Sequence, residues 1–465
     1  MARTPGGALS SFTLLSTPDE PTITSITTSI GSASVAFTAP TDVGDAAVSS
    51  YVVTAVDESS GVSTGGTGTS SPITVSPPAG GTFKIRMQAL NPYGPGRLTE
   101  YDTGNAIYSG AELYSWGSGS SGRIGDNTTV SKSSPVQIGA LTTWYEISAA
   151  TCNVSIKTDG TLWGWGYNGS GQIGDNTDIN KSSPVQVGAL TTWSTVSTES
   201  TTTAAIKTSG SLWTWGINNH GQLGQNFQGS ARSSPIQVGA LTDWSKVSAF
   251  KDGEAFVAIK TNGTLWAWGR NNQSKLGDTT STYRSSPVQI GALTNWSRTT
   301  SGERHTIAIK TDGTLWSWGY NNYGQLGNNS ITGRASPIQI GALTTWSKSS
   351  AGQRHSGAVS SNGSIWTWGR NNFGGQLGQG NSISKSSPTQ VGSLTNWLKI
   401  SMGNNFTLAV KTDGTLWAWG YNTAGQLGDG TAINRSSPVQ VGALTSWYEV
   451  SGGGTASTLA LYGVV

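Results

Sequence analysis

The chain has 465 residues, of which only 11% are charged, and Gly, Ser, Thr and Asn are abundant, a balance more typical of extracellular β proteins than of cytosolic enzymes. All 20 Trp lie after residue 110, and formal charge divides at the same point, with −4 on residues 1–110 and +7 on the rest, which argues for two domains. The single cysteine, Cys152, excludes an internal disulfide, so stability must come from packing.

Residues 1–17 are small and polar with a short apolar patch at Phe12, Leu14 and Leu15, and read as a tail or docking peptide. They hold a lone Arg3 and no apolar run long enough for a signal peptide or a membrane span. The expectation is a protein made in a cytoplasm that does not leave by the usual secretory route. From residue 18 to 110, runs such as Val35 and Phe37, Tyr51, Val53 and Ala55, and Ile85, Met87 and Ala89 alternate between Gly, Pro and Asp clusters. Period-2 alternation with turn punctuation predicts a small antiparallel β-sandwich.

From residue 111 to 465 one unit repeats. The second Trp of its Leu-Trp-x-Trp-Gly motif stands at Trp116, Trp165, Trp215, Trp268, Trp318, Trp368 and Trp419, at spacings of 49 to 53 residues. A period near 50 marks a repeat architecture. Each copy continues into a turn such as Gly324 to Gly327, then Ser-Ser-Pro or a close variant, a Trp nine residues beyond that Pro, and a hairpin of the Lys-Thr-Asp-Gly-Thr kind. In one unit, 147–149, 154–157, 162–167 and 185–187 read as four short strands, and four-stranded sheets repeated radially make a β-propeller. The chain enters the first unit at Glu112 to Gly117 without the two strands that precede that motif elsewhere, and supplies two such strands at its end, near Thr458 to Gly463. The expected fold is therefore all-β: an N-terminal sandwich followed by a seven-bladed propeller closed by pairing of its first and last strands.

Two resemblances accompany this reading. Thr82 to Asn91 followed by Gly94 resembles the late strands of a fibronectin type III domain, although Phe37 replaces the early-strand Trp and Phe83 the corner Tyr. The run Trp-Gly-x-Asn-x-x-Gly-Gln-Leu-Gly at Trp318 to Gly327 and Trp419 to Gly428, with Gly-x-x-His at Gly302 to His305 and Gly352 to His355, resembles the regulator of chromosome condensation propeller family. That family includes guanine-nucleotide exchange factors, a β-lactamase inhibitor and a plant photoreceptor. The exchange-factor role implies a basic tail and a protruding wedge, and here no repeat exceeds the others by more than about three residues. The photoreceptor role implies Trp beside Arg in the Gly-x-x-His element, where this chain has Glu303 or Gln353. The regular Ser/Thr-rich repeat is more similar to versions in marine bacterial and bacteriophage proteins.

Catalytic constellations are absent. His220, His305 and His355 have no metal-ligand spacing, no Gly-Lys phosphate loop occurs, and Gly61 to Gly65 matches a nucleophile elbow only by chance, since no helix follows it. No enzyme activity, cofactor or metal is expected. Asp126, Asp175, Asp278 and Asp429 recur at one turn position that holds Gln225, Asn328 and Gln379 elsewhere, which favours turn capping. Before each Ser-Pro lies a cation: Lys132, Lys181, Arg232, Arg284, Arg334, Lys385 and Arg435. Sevenfold closure makes these a ring, either a solvated face or a docking surface. Copies differ most in the loop before that cation and in the loop after the downstream Trp, such as 150–153, 250–255 and 403–406.

The leading expectation is a non-enzymatic virion-associated or surface-displayed protein that serves adhesion, decoration or host attachment. Its expected partners are virion structural proteins through the N-terminal part and an anionic envelope glycan or host surface protein through the propeller, with no nucleic acid. The alternative is a regulatory, protein-binding propeller resembling an exchange factor or enzyme inhibitor.

Overall fold

The computed structural model describes residues 16–29, 32–57, 63–75, 83–102, 111–454 and 456–463. Phe12, Leu14 and Leu15 of the expected tail lie outside them, as do residues 61 and 62 of the chance elbow match and the side chain of Phe83. The chain divides into two compact units, Met1–Ser109 and Gly110–Val465.

The first unit holds two sheets. One orders Thr22–Ser29, Ser32–Thr38 and Ile73–Val75; the other orders Ser63–Gly68, Ser50–Asp57, Phe83–Asn91 and Gly94–Pro95, with Thr99–Asp102 also paired to Phe83–Asn91. Alternate residues of both sheets meet in one core, Ala33, Val35 and Phe37 against Val53, Ile85 and Met87.

The second unit is a propeller of seven four-stranded antiparallel sheets, the blades. Blade 2 runs Trp144–Ser148, Cys152–Lys157, Leu162–Gly166, Lys181–Gln186 from the axis outward. Blades 3 to 7 repeat this order from Trp193, Trp244, Trp296, Trp346 and Trp397. Blade 1 takes its inner strands, Trp447–Gly452 and Ser457–Tyr462, from the end of the chain and its outer strands, Glu112–Gly117 and Lys132–Gln137, from the start of the unit. Ser457 to Tyr462 pair in antiparallel register with Gly117 to Glu112. The outermost strand begins earlier than the sequence implies, so each cation before the Ser-Pro belongs to a strand rather than a loop.

The hairpins form for a local reason. In blade 2 the Asp159 carboxylate accepts the Thr161 amide at 2.9 Å and hydroxyl at 2.6 Å, and that hydroxyl accepts the Trp163 indole N–H at 2.8 Å. Gly160 turns the chain at φ +76°, a conformation that strains any other residue.

The Trp motif makes the seams between blades. Trp116, Trp165, Trp215, Trp268 and Trp368 are fully buried, and each donates its indole N–H to a loop carbonyl of the preceding blade at 2.8 to 3.1 Å. The Gln325 carbonyl takes both the Trp368 indole and the Ser356 hydroxyl. The Gly-Gln-Leu-Gly turn needs its last Gly here: at Gly327, φ +78°, a Cβ would lie 2.7 Å from Trp368 Nε1. A second tie circles the axis. The hydroxyls of Ser148, Ser197, Ser350, Ser401 and Ser451 each accept an amide in, or directly after, the inner strand of the next blade at 2.9 to 3.0 Å. The Ser451 bond, to Ala149, joins blade 1 to blade 2.

Candidate functional site

The two sets of variable loops meet at one end of the propeller. In each blade the residue after the Trp-Gly of the third strand donates its amide to the residue before the second strand: Tyr167 to Thr151, Arg270 to Glu254, Tyr320 to Arg304, Arg370 to Arg354, Tyr421 to Asn405. We call this end the loop face; the Asp-Gly hairpins occupy the other. In blades 2 to 7 a buried Asn staples the long loop. Asn168 accepts the Ile173 amide at 2.9 Å and donates to Asp175, Thr177 and Ile179.

Over blades 4 to 7 the loop face carries Arg and aromatic side chains in contact. The Arg370 guanidinium lies 4.0 Å from the Phe373 ring centroid and 4.8 Å from that of Tyr323, which also faces Arg354 at 5.5 Å. Glu303 pairs with Arg304 at 3.0 Å and with Arg354 at 3.4 Å, and Arg270 grips Glu254 through both carboxylate oxygens. Phe373 is 38% exposed. Nearer the axis, the Lys251 ammonium reaches Glu199 at 2.5 Å and, on blade 1, the Gly452 carbonyl at 3.0 Å. Burial pushes Glu199 up to about 7, with Lys251 opposing. Lys275, fully buried, is pushed down by burial and held by Asp252 at 2.6 Å.

The seven rim cations divide into two groups. Lys132, Lys181, Arg284 and Arg435 pair with Asp126, Asp175, Asp278 and Asp429 at 2.6 to 3.1 Å. Each of these carboxylates also caps its turn, as Asp126 does by accepting the Thr128 amide and hydroxyl. Partial burial pushes Asp126 up, but the Thr128 hydroxyl and Lys132 together hold it below the usual carboxylate range. Arg232, Arg334 and Lys385 belong to the blades whose turns carry Gln225, Asn328 and Gln379, and have no carboxylate partner among the described residues. Beside the cations, Val130, Ile179, Ile331, Ile383 and Ile433 are each at least 60% exposed. Sequence reasoning marked these loops as variable but missed their repeated apolar tip.

The remaining candidates are structural. His305 Nε2 meets the Ser356 hydroxyl at 2.9 Å and His355 Nε2 the Thr407 hydroxyl at 3.3 Å, each bridging two blades. Burial pushes both imidazoles down to about 3, so they are neutral. Cys152 is a buried strand residue with its thiol pushed up to about 11 by burial. Of the Trp, the six first members of Trp-x-Trp are half-buried; Lys157, Lys207, Lys310 and Lys411 lie 3.5 to 3.8 Å from four of their ring centroids.

Residues 112–459 match the RCC1-like domain family. The chain belongs to that family. Among solved structures, the RCC1-like part is similar to Prp20p from Saccharomyces cerevisiae, at 18% identity and a TM-score of 0.68, covering 77% of this chain and 92% of that one. It is also similar to human WBSCR16, at 18% identity and a TM-score of 0.68, covering 76% and 98%. Yeast RCC1 (Prp20) bound to Kap60 gives 18%, 0.68, 77% and 90%. No curated protein sequence matches the chain.

These relatives correct two expectations. Prp20p is described by its binding to Gsp1p and histones and was solved with Kap60; virion proteins, envelope glycans and extracellular surfaces are not among those associations. The expected virion and glycan partners and the virion or extracellular location are therefore withdrawn. The composition that suggested them has another cause: Gly, Ser, Thr and Asn are what the RCC1-like turns and seams require, whatever the compartment.

Proposed function

We propose that this chain is a non-enzymatic regulator whose RCC1-like propeller binds a protein partner through its loop face. The observation that carries the reading is the Arg354, Arg370, Tyr323 and Phe373 cluster, set among loops that differ from blade to blade on an otherwise uniform scaffold. Arg and aromatic residues dominate binding energy at protein interfaces because they bury large, rigid surface with directed polar groups. The unpaired rim cations Arg232, Arg334 and Lys385, beside exposed apolar tips, extend the same surface toward an acidic partner. The association of Prp20p with Gsp1p and histones supports a protein partner of this general kind. Residues 18–110 are proposed as a fibronectin type III-like spacer, and 111–465 as the binding domain.

The experiment uses a small GTPase of the Gsp1 kind loaded with fluorescent guanine nucleotide, and separately core histones. Binding and nucleotide release are compared for the wild type and an Arg354→Ser/Arg370→Ser variant. Binding that weakens about tenfold or more in the variant supports the reading, since loss of interface anchors costs at least that much. Accompanying nucleotide release favours an exchange factor; binding without release favours an inhibitor. Binding to neither protein, or binding that the variant leaves intact, counts against it.

A further inference from the structure

Across the loop-face edge of a blade three positions stand side by side: the residue before the second strand, the residue after the Trp-Gly of the third, and the cation of the fourth. Backbone pairing sets them there. In blade 6 the Arg370 amide donates to the Arg354 carbonyl at 2.9 Å, and Lys385 lies opposite Gly369 in the register of the two outer strands.

The charges at these positions differ from blade to blade. Blade 4 has Glu254, Arg270 and Arg284, and pairs them throughout: Glu254 holds Arg270 through both oxygens, and Asp278 holds Arg284 at 2.6 Å. Blade 2, with Thr151, Tyr167 and Lys181, and blade 7, with Asn405, Tyr421 and Arg435, carry one cation each, held by the acid of its own turn. Blade 6 has Arg354, Arg370 and Lys385, three cations on three adjacent strands, and its long loop, 370–384, contains no acid. Residues 296–390, which make blades 5 and 6, hold two acids, Glu303 and, on the hairpin face, Asp312. Glu303 is shared between Arg304 at 3.0 Å and Arg354 at 3.4 Å. It sets one negative charge against the five cations along this edge of the two blades, Arg304, Arg334, Arg354, Arg370 and Lys385.

The comparison with blade 4 shows what blade 6 lacks. Arg370 takes the place of Arg270, but the place of Glu254 is filled by a second guanidinium, so a carboxylate for Arg370 has to come from another molecule. The side chain is posed to receive one. Asn372 accepts its Nε–H at 2.6 Å, the Phe373 and Tyr323 rings lie against it, and its two Nη groups have no hydrogen bond among the described residues. That edge is the fork that a carboxylate matches with two parallel bonds. Burial, and with it the Arg354 charge, pushes the guanidinium down from its ordinary value, against support from Tyr323. Adjacent strands stand about 4.8 Å apart, so the three cations span about 10 Å, the reach of about three residues of extended chain. Phe373 and Ile383, 38% and 64% exposed, border the row.

We propose that the loop-face edge of blade 6 docks an extended acidic segment of the protein partner, its carboxylates held by Arg370, Arg354 and Lys385 and its apolar residues by Phe373 and Ile383. This rests on the loop face being the protein-binding surface and adds the chemistry of what is bound there. A nucleic-acid strand fits the row less well, because the rings that would stack its bases, Phe373 and Tyr323, are already engaged by Arg370.

The test is selection of displayed random dodecapeptides on the full chain. Fluorescence anisotropy then compares the enriched peptide, and a copy with each Asp and Glu changed to its amide, on the wild type, Arg354→Glu, Arg370→Tyr and the rim control Arg435→Gln. Arg354→Glu rebuilds in blade 6 the pair that Glu254 makes with Arg270, and Arg370→Tyr copies Tyr421 of blade 7, so both should melt close to the wild type. The expected result is enrichment of peptides that intersperse acidic and apolar residues. Either blade 6 variant, or the amide copy, should weaken binding at least about tenfold, as loss of a charge-assisted hydrogen bond implies, and Arg435→Gln should leave it unchanged. Enrichment of peptides without carboxylates, bound more weakly by Phe373→Ser, would overturn this inference and leave the loop-face reading standing. No enrichment, or binding that both blade 6 variants and Phe373→Ser leave intact, would count against both. Tighter binding of an oligothymidylate of equal charge would overturn the inference in favour of a nucleic-acid partner.

Discussion

The seam between two blades and the loop face above it are built by the same repeat, yet they treat variation in opposite ways. At the seam, Trp215, Trp268 and Trp368 make the same bond to the same kind of carbonyl, and Gly327 is tied to its identity by the indole beneath it. On the loop face, the residue after the Trp-Gly of the third strand is Ser118, Tyr167, Ile217, Arg270, Tyr320, Arg370 or Tyr421, and its side chain is free to differ because the repeated bond uses only its backbone amide. Sameness therefore marks what holds the blades together, and difference marks where chemistry can be added without cost to the fold.

The largest expected effect lies at the seam. Trp368→Ala removes a fully buried side chain and its inter-blade bond and should cost about 3–5 kcal/mol, read by urea unfolding. Arg370→Ser, two residues away on the loop face, should stay within about 0.5 kcal/mol. Equal costs at the two positions would break the distinction.

Next are the histidines, which are seam residues despite their polar character. Their folded pKa values, about 3, lie below the unfolded value, so the unfolded state binds more protons between those limits. Their contribution is fully present above about pH 6.5 and is lost as pH falls toward 3, at no more than about 1.4 kcal/mol per pH unit for each. A His305→Ser/His355→Ser variant, which copies the Ser457 found at the equivalent place in blade 1, should show a flatter stability profile across that window than the wild type. Parallel profiles would mean that these imidazoles are not buried neutral.

The smallest effect is at the rim. Asp429→Asn gives blade 7 the turn residue that blade 5 carries at Asn328, and loss of the Arg435 pair should cost less than about 1 kcal/mol. The reverse change, Asn328→Asp, should leave stability nearly unaltered while neutralising Arg334, and so weaken partner binding if the unpaired cations dock the partner.

Much of the propeller was legible because its determinants are local and repeated. The Trp spacing, the Asp-Gly hairpins and the missing strands at the first unit each point to their place in the fold. The pairing of rim cations was also within reach: acid and cation stand six residues apart at Asp126 and Lys132 and again at Asp429 and Arg435, a covariation visible among the repeats themselves. The position two residues after each inner-strand Trp was not legible. Glu146, Lys246 and Arg298 occupy one repeat position without resembling one another, and a bulge after the inner-strand Trp shifts the pleat, so alternation alone does not give their direction. Location was misread because composition answers to turns and seams before it answers to compartment.

The most direct test of the central claim, that the loop face binds the partner, is site-specific photo-cross-linking in a lysate of the native host. One probe replaces Tyr323 on the loop face and another replaces Asp312 on the hairpin face. The account predicts one protein captured in stoichiometric yield from position 323 and nothing comparable from position 312. Capture of that protein from position 312 instead, or equally from both, would contradict it.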